Sequence, residues 1–425
     1  MPTSCSCGRK HFGSLRCMIM NERNSKRMLL DKRFHTSATV LESEPGARAD
    51  DEGPVFGVKD LIAVQGVPRY LGFERCIGHK QPEATESATC VSLLRNHGYK
   101  LYATQKTPPL GLGLTDVDTV YPAMPGAYPG GSSTGSAVAV STGITDVALG
   151  TDSMGSVRKP AALNDIWGFK PMHGSYPSDH ICDTSPSFTD VGTLARNLED
   201  LEALDRILNA DVESRNSARK PTKFKVLTID NASMGPAINA QYQRALVVLS
   251  GDNDIRLESS AIDWEQLAYP ADITATISNY ELMRAIRQDE TSGSWLRREI
   301  NDYVSRYMDN PTVPASDYRQ ALQEKRNYAQ HMEQRFPDIA VLTPALPQRP
   351  PSLPWSNRSD MLHRLTRYTS LANVLGTASI CIPMHRSNSS FSYDFGLLLT
   401  SLTSTITHRQ LFETARIISG AISAA

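Results

Sequence analysis

Residues 129–160 read PGGSSTGSAVAVSTGITDVALGTDSMGSVRKP. Hydroxyl side chains are crowded together here, with glycines between them, which suits a serine nucleophile approached closely by a substrate. A serine hydroxyl is too weak a nucleophile unless a base takes its proton as it attacks. No histidine lies beside this stretch, so the base must come from elsewhere in the chain. A flexible Gly/Ser linker has a similar composition. Linkers do not carry apolar segments such as AVAV and DVALG at regular intervals.

Two generic motifs fall in this stretch, and neither has its required context. Gly131-Ser132-Ser133-Thr134-Gly135 fits the GxSxG nucleophile elbow, which needs a hydrophobic strand directly before it. The residues that precede it, MPGAYPG, cannot form that strand. Ser156-Val157-Arg158-Lys159 fits SxxK, which should be accompanied by SDN and KTG elements that this sequence lacks.

A longer pattern accounts for the whole stretch. GGSSTGS (130–136), GTDSMGSVRKPAA (150–162) and GFKPMHG (168–174) resemble the core of the amidase signature family. Upstream, FGVKDLIAVQGVP (56–68) is similar to the family element that supplies a lysine. Downstream, SFTDVGTLARNLEDL (187–201), LTPALPQRPP (342–351) and SLANVLGTASICIP (370–383) continue the likeness, which runs from about residue 53 to the C-terminus. The compact indoleacetamide-hydrolase-like amidases are the nearest in character.

The resemblance implies a serine–serine–lysine relay. Ser156 takes the place of the nucleophile, Ser132 of the bridging serine and Lys59 of the base. Ser132 would follow a cis peptide bond from Gly131. Backbone N–H groups in the turn Ser153-Met154-Gly155-Ser156 would receive the oxyanion of a tetrahedral intermediate. Lys59 must be neutral to act as a base, and burial disfavours the ammonium form. Its neighbours, Phe56-Gly57-Val58 before and Leu61-Ile62 after, make burial the expectation. Asp152 and Arg158 are read as a charge pair bracing the nucleophile turn. No metal or organic cofactor is required.

The sequence departs from the family pattern in several places. Met154 and Thr134 stand where glycine is usual. Asn164-Asp165 replaces a small pair. TQKTP (104–108) puts Pro108 where the family has asparagine. These changes bear on the shape of the pocket and leave the relay residues intact.

Several elements must hold these groups in place. The chain becomes strand-like from Val55. Ser87–His97 has a helical pattern and Tyr99–Thr104 suits a strand. Ser136–Thr142 reads as a small-residue helix and Asp146–Gly150 as a short buried strand. Ser316 is placed to cap a helix over DYRQALQEKRNYAQHMEQRF. Ile339–Thr343 and Ser379–Pro383 read as buried strands, and the last helix spans roughly Gln410–Ile422. Alternation of this kind predicts an α/β fold: one large domain (53–425) built on a mixed, twisted β-sheet covered by helices on both faces.

Composition narrows the partners. Of 425 residues, 40% are apolar and 21% charged, as in a folded enzyme, and the formal net charge is −1. No global positive field favours nucleic acid or an anionic membrane, and no stretch is apolar enough to span one. The seven cysteines are scattered without zinc or disulfide spacing, which fits reduced thiols inside a cell. The expected partner is a small amide substrate; oligomeric state stays open, a homodimer included.

Residues 1–52 are set apart as a basic, polar tail. Their first forty carry Arg9, Lys10, Arg16, Arg23, Lys26, Arg27, Lys32 and Arg33 against Glu22 and Asp31. A disordered tail, an upstream start codon and a mitochondrial transit peptide all fit this composition. The location is accordingly cytoplasmic, with mitochondrial as the alternative. Three functions compete: a stand-alone amidase, the glutaminase subunit of a tRNA-dependent amidotransferase, and a catalytically altered amidase-like binding protein. Lys59, Ser132 and Ser156 together argue against the last.

Overall fold

The computed structural model describes residues 23–41, 53–74, 82–112, 118–209, 225–229, 234–251, 257, 262–269, 271–288, 313–353, 359–384 and 396–424. Residues 1–22 and 42–52 of the expected tail lie outside these. A ten-stranded mixed sheet forms the centre. Its strands in chain order are β1 (Ser37–Val40), β2 (Val55–Lys59), β3 (Lys100–Gln105), β4 (Val147–Asp152) and β5 (Trp167–Lys170). They continue with β6 (Asp190–Ala195), β7 (Lys225–Thr228), β8 (Ile339–Pro344), β9 (Ser379–Ile382) and β10 (Leu397–Ser401). Across the sheet the order is β1-β3-β2-β4-β6-β5-β9-β10-β8-β7.

The middle strands are apolar along both faces, as sheets covered on both sides require. All residues of β4, β5, β6, β9 and β10 are buried. Strands β2 and β4 run parallel, with Val58 opposite Leu149, so their C-terminal ends lie side by side. Lys59 ends β2, and Thr151 and Asp152 end β4. Open α/β sheets place ligands beyond the carboxyl ends of parallel strands.

Helices α1 (23–34) and α2 (Thr89–Asn96) precede the serine-rich stretch, and two short helices within it sit against this part of the sheet. Helix α3 (Thr134–Ser141) is buried from Thr134 to Val140. An apolar-all-round helix of this kind belongs inside the protein. Its hydroxyls bond to nearby carbonyls: Ser136 Oγ donates to Leu149 O at 3.2 Å and Thr134 Oγ1 to Gly130 O at 2.9 Å. Helix α4 (Arg158–Leu163) is wholly buried. Its Pro160 falls in the first turn, where a missing N–H costs no helical hydrogen bond. Glycines let these elements approach: a Cβ at Gly150 would lie 2.5 Å from Ser133 Oγ, at Gly168 2.5 Å from Ala161 Cβ, and at Gly192 3.0 Å from Val157 Cγ2.

Part of the expected tail belongs to the fold. It forms α1, and β1 pairs antiparallel with β3 as an edge strand. Thr36 O accepts from Lys106 N–H at 2.8 Å, and a Cβ on Gly135 would be 2.3 Å from that carbonyl. The segment therefore packs directly against the start of α3. Its polar, basic composition concealed this, because an edge strand needs backbone partners more than apolar side chains.

Other elements match their expectations with small shifts of boundary. The long helix begins at Ala315, with Pro314 rather than Ser316 at the cap; Ser316 Oγ donates instead to Asp317 Oδ1 at 2.8 Å. Proline's fixed φ sets the entry to the helix without a side-chain cap. The final helix extends over His408–Ala424. No helix among the described residues is long and apolar enough to cross a membrane.

Gly192→Ala tests the close approach of α4 to the sheet. The added methyl meets Phe169 O at 2.7 Å and Val157 Cγ2 at 3.0 Å. Overpacking should cost about 1–3 kcal/mol, read as a lower denaturant midpoint. An unchanged midpoint would contradict the packing described.

Candidate active site

The site is built where β2, β4, the loop before α3 and the loop before α4 converge. Lys59 is fully buried, and its Nζ lies 2.7 Å from Ser132 Oγ and 2.8 Å from Thr151 Oγ1. The Gly131–Ser132 peptide is cis, as the resemblance implied. Ser133 N–H donates to Ser156 O at 3.0 Å and binds the two serine loops together. Ser132, Thr151, Ser153, Met154 and Ser156 all border one cavity of about 580 Å³. Leu61, Leu110, Trp264, Leu267, Tyr269 and Val374 supply much of its apolar wall.

The partners of Lys59 determine its charge. Hydroxyls can accept from an ammonium but cannot neutralise it. Burial therefore dominates and draws the Lys59 pKa down to about 7, against an opposing pull from Asp152. The contrast is Lys170, equally buried, whose Nζ lies 2.6 Å from Asp190 Oδ2.

Asp152 is fully engaged. It accepts from Gly155 N at 2.7 Å, Val157 N at 3.1 Å and Arg158 N at 3.4 Å. Arg158 Nε and its terminal nitrogen reach the two carboxylate oxygens at 3.0 and 2.8 Å. Burial opposes ionisation, but the guanidinium and these N–H groups outweigh it and hold the carboxyl well below the usual range. The expected bracing pair is thus present, with both side chains fully buried.

Two supports come from outside the serine-rich stretch. Asn373, on the helix Ser370–Leu375, donates to Asp152 O at 2.8 Å and accepts from Arg158 at 2.7 Å. Thr369 Oγ1 donates to Met154 O at 2.9 Å. Gly155 has φ +97°, and a Cβ there would lie 2.2 Å from Thr369 Oγ1. Both conditions demand glycine at this turn. Asn373 and Thr151 fall within matched runs, SLANVLG and GTDSMGS, but neither is given a role there, and Thr369 lies just outside them.

The expected oxyanion donors fall into two groups. Gly155 N–H is taken up by Asp152 Oδ1. Among the described residues, the N–H groups of Met154 and Ser156 have no internal acceptor, and both residues border the cavity. Asp183, also on the cavity, is pushed up to about 6 by burial, with Ser185 N–H at 2.9 Å opposing.

Known proteins resemble the chain over most of its length. The family model Amidase matches residues 49–397. A glutamyl-tRNA(Gln) amidotransferase subunit of Methanococcus maripaludis (strain C5) is 26% identical over 351 residues, covering 75% of this chain and 80% of its own. Indoleacetamide hydrolase of Pseudomonas savastanoi is 28% identical, covering 78% and 77%. Among solved structures, 6-aminohexanoate cyclic dimer hydrolase in complex with substrate superposes with a TM-score of 0.77 at 19% identity, covering 96% of this chain and 94% of that one. With the family model spanning most of its length, the chain belongs to the amidase family, whose reaction is hydrolysis of an amide bond.

Proposed function

We propose that this enzyme hydrolyses a small carboxamide through an acyl-enzyme on Ser156, with Ser132 and Lys59 as its proton relay. The observation that carries this is the 2.7 Å contact between Lys59 Nζ and Ser132 Oγ, made by a fully buried lysine beside the cavity that Ser156 borders. In its neutral form Lys59 donates to Thr151 and offers its lone pair to the Ser132 hydroxyl. Ser132 can then take the proton of Ser156 as it passes its own to Lys59.

The steps balance without an added group. Ser156 Oγ bonds to the carbonyl carbon, and its proton moves through Ser132 to Lys59. The carbonyl oxygen becomes an oxyanion facing the N–H groups of Met154 and Ser156. As the C–N bond breaks, the proton returns through Ser132 to the departing nitrogen, so ammonia or an amine leaves. Water then cleaves the ester by the same path. The stand-alone amidase is preferred over a glutaminase subunit because TQKTP departs from the family pattern.

Purified enzyme offered a panel of primary amides, glutamine included, should release ammonia without a partner protein. Ser156→Ala should abolish release, and a fluorophosphonate probe should label wild type at Ser156. Turnover restricted to glutamine and dependent on another protein would favour the amidotransferase reading. Neither turnover nor labelling would end the catalytic one.

The pH profile tests the base. Lys59 works only when deprotonated, and its pKa is near 7. Below that value kcat/KM should fall about tenfold per pH unit as the ammonium form accumulates; above it the rate should level off. A profile flat from pH 5 to 8 would exclude Lys59 as the base.

A further inference from the structure

A second buried lysine opens on the same cavity, and the relay gives it no task. Lys159 stands three residues after Ser156, in the first turn of α4. It is 2% exposed and borders the cavity. Among the described residues its ammonium has no hydrogen-bond acceptor and no salt-bridge partner. The other buried lysines differ. Lys170 meets Asp190 at 2.6 Å, Lys106 meets Asp118 at 2.5 Å, and Lys59 has two hydroxyls.

The nearby carboxylates are already engaged. Asp152 attracts Lys159 electrostatically, yet its oxygens are filled by Arg158, Asn373 and backbone N–H groups. Glu265, also at the cavity, pairs with Arg367. Asp183 accepts from Ser185 N–H. Burial pulls the Lys159 pKa down only to about 8, so it stays mostly cationic at neutral pH. With Lys59 neutral, the buried cluster of Asp152, Arg158 and Lys159 carries one uncompensated positive charge. Burying such a charge is costly unless an anion meets it.

We infer that Lys159 anchors an anionic group of the substrate, so that the amide hydrolysed here also carries a carboxylate close to its scissile carbonyl. This rests on the amidase reading above. Ser156 precedes α4, but Lys159 N–H closes a helical turn onto Gly155 O at 2.8 Å, so the two residues stand roughly 5–6 Å apart, as neighbours one turn apart do. A carboxylate held by Lys159 therefore lies a few carbons from a carbonyl poised at Ser156. The fitting class is the monoamide of a short dicarboxylic acid. The anion also completes the charge balance of the Asp152, Arg158 and Lys159 cluster.

The test pairs acids with neutral amides of matched size: malonamate with propionamide, succinamate with butyramide, glutaramate with valeramide. Wild type should prefer the acids. Lys159→Met, close in shape and uncharged, should lower the acid-to-neutral ratio of kcat/KM by about 10- to 100-fold, and Lys159→Arg should restore part of it. Lys159→Gln gives the same reading if the methionine variant misfolds by circular dichroism. Independently of turnover, malonate and succinate should bind Ser156→Ala by isothermal titration, and at least tenfold more weakly once Lys159→Met is added.

An equal loss on acids and neutral amides would place Lys159 on the oxyanion or on Lys59 and overturn the inference. So would a wild type without preference for acids, or dicarboxylate binding unchanged in the double variant. If neither turnover nor probe labelling is seen, the amidase reading fails, and the titration alone still decides whether Lys159 holds an anion.

Discussion

The arrangement depends on one buried carboxylate. Asp152 ends β4 and holds the turn that carries Ser156, through Gly155 N–H, Val157 N–H and the Arg158 guanidinium. Removing Arg158 would leave an unpaired charge in the interior, which is far costlier than the pair is beneficial. It would also expose Lys59 to an unshielded anion, and Asp152 already pulls that lysine toward its charged form. The same pair that fixes the Ser156 turn therefore limits the pull on Lys59, as the proposed relay requires. Asn373 closes the network by bonding both members, so a helix far along the chain is committed to the same geometry.

Three buried lysines within this region illustrate how partner chemistry divides one residue type among tasks. Lys170 has a carboxylate and two carbonyls, which tie β5 to Asp190 and Thr377. Lys59 has hydroxyls, which tolerate either charge state and can relay a proton. Lys159 has no acceptor among the described residues and faces open volume. Lys159 also lowers the pKa of Lys59, so the two are coupled. An anion brought to Lys159 would weaken that repulsion.

Much of the site was legible because its residues cluster in sequence. Ser132, Ser156, Asp152 and Arg158 fall within one Gly/Ser-rich stretch, and apolar flanks marked Lys59 for burial. What remained hidden depends on sheet order. Thr151 meets Lys59 across 92 residues, and Asn373 meets Arg158 across 215. Neither follows from spacing, since both require β2 beside β4 and the Ser370–Leu375 helix folded back over them. Strands β6 and β10 were equally obscure: fully buried runs such as LLLTS lack the alternation that separates a strand from a buried helix. The segment at 37–40 was missed for the opposite reason, its polar residues masking an edge strand.

The departures from the family pattern now have physical consequences. Thr134, in place of a glycine, bonds its hydroxyl to Gly130 O and stiffens the loop that presents Ser132. Asn164 donates to Pro129 O at 2.7 Å and to Pro160 O at 2.9 Å, joining that loop to α4. Met154 keeps its backbone N–H beside the cavity while its side chain packs with the cluster of Phe188, Ile277 and Val374. Pro108 sets its carbonyl against Gly72, where it leaves no room for a Cβ. Each change tightens a loop or extends an apolar wall, and none withdraws a group from the relay. The chemistry and the choice of substrate are thus carried by separate parts of the site. On the proposed reading, Lys59, Ser132 and Ser156 make the reaction possible, whereas Met154, Lys159 and the apolar wall decide which amide can reach it.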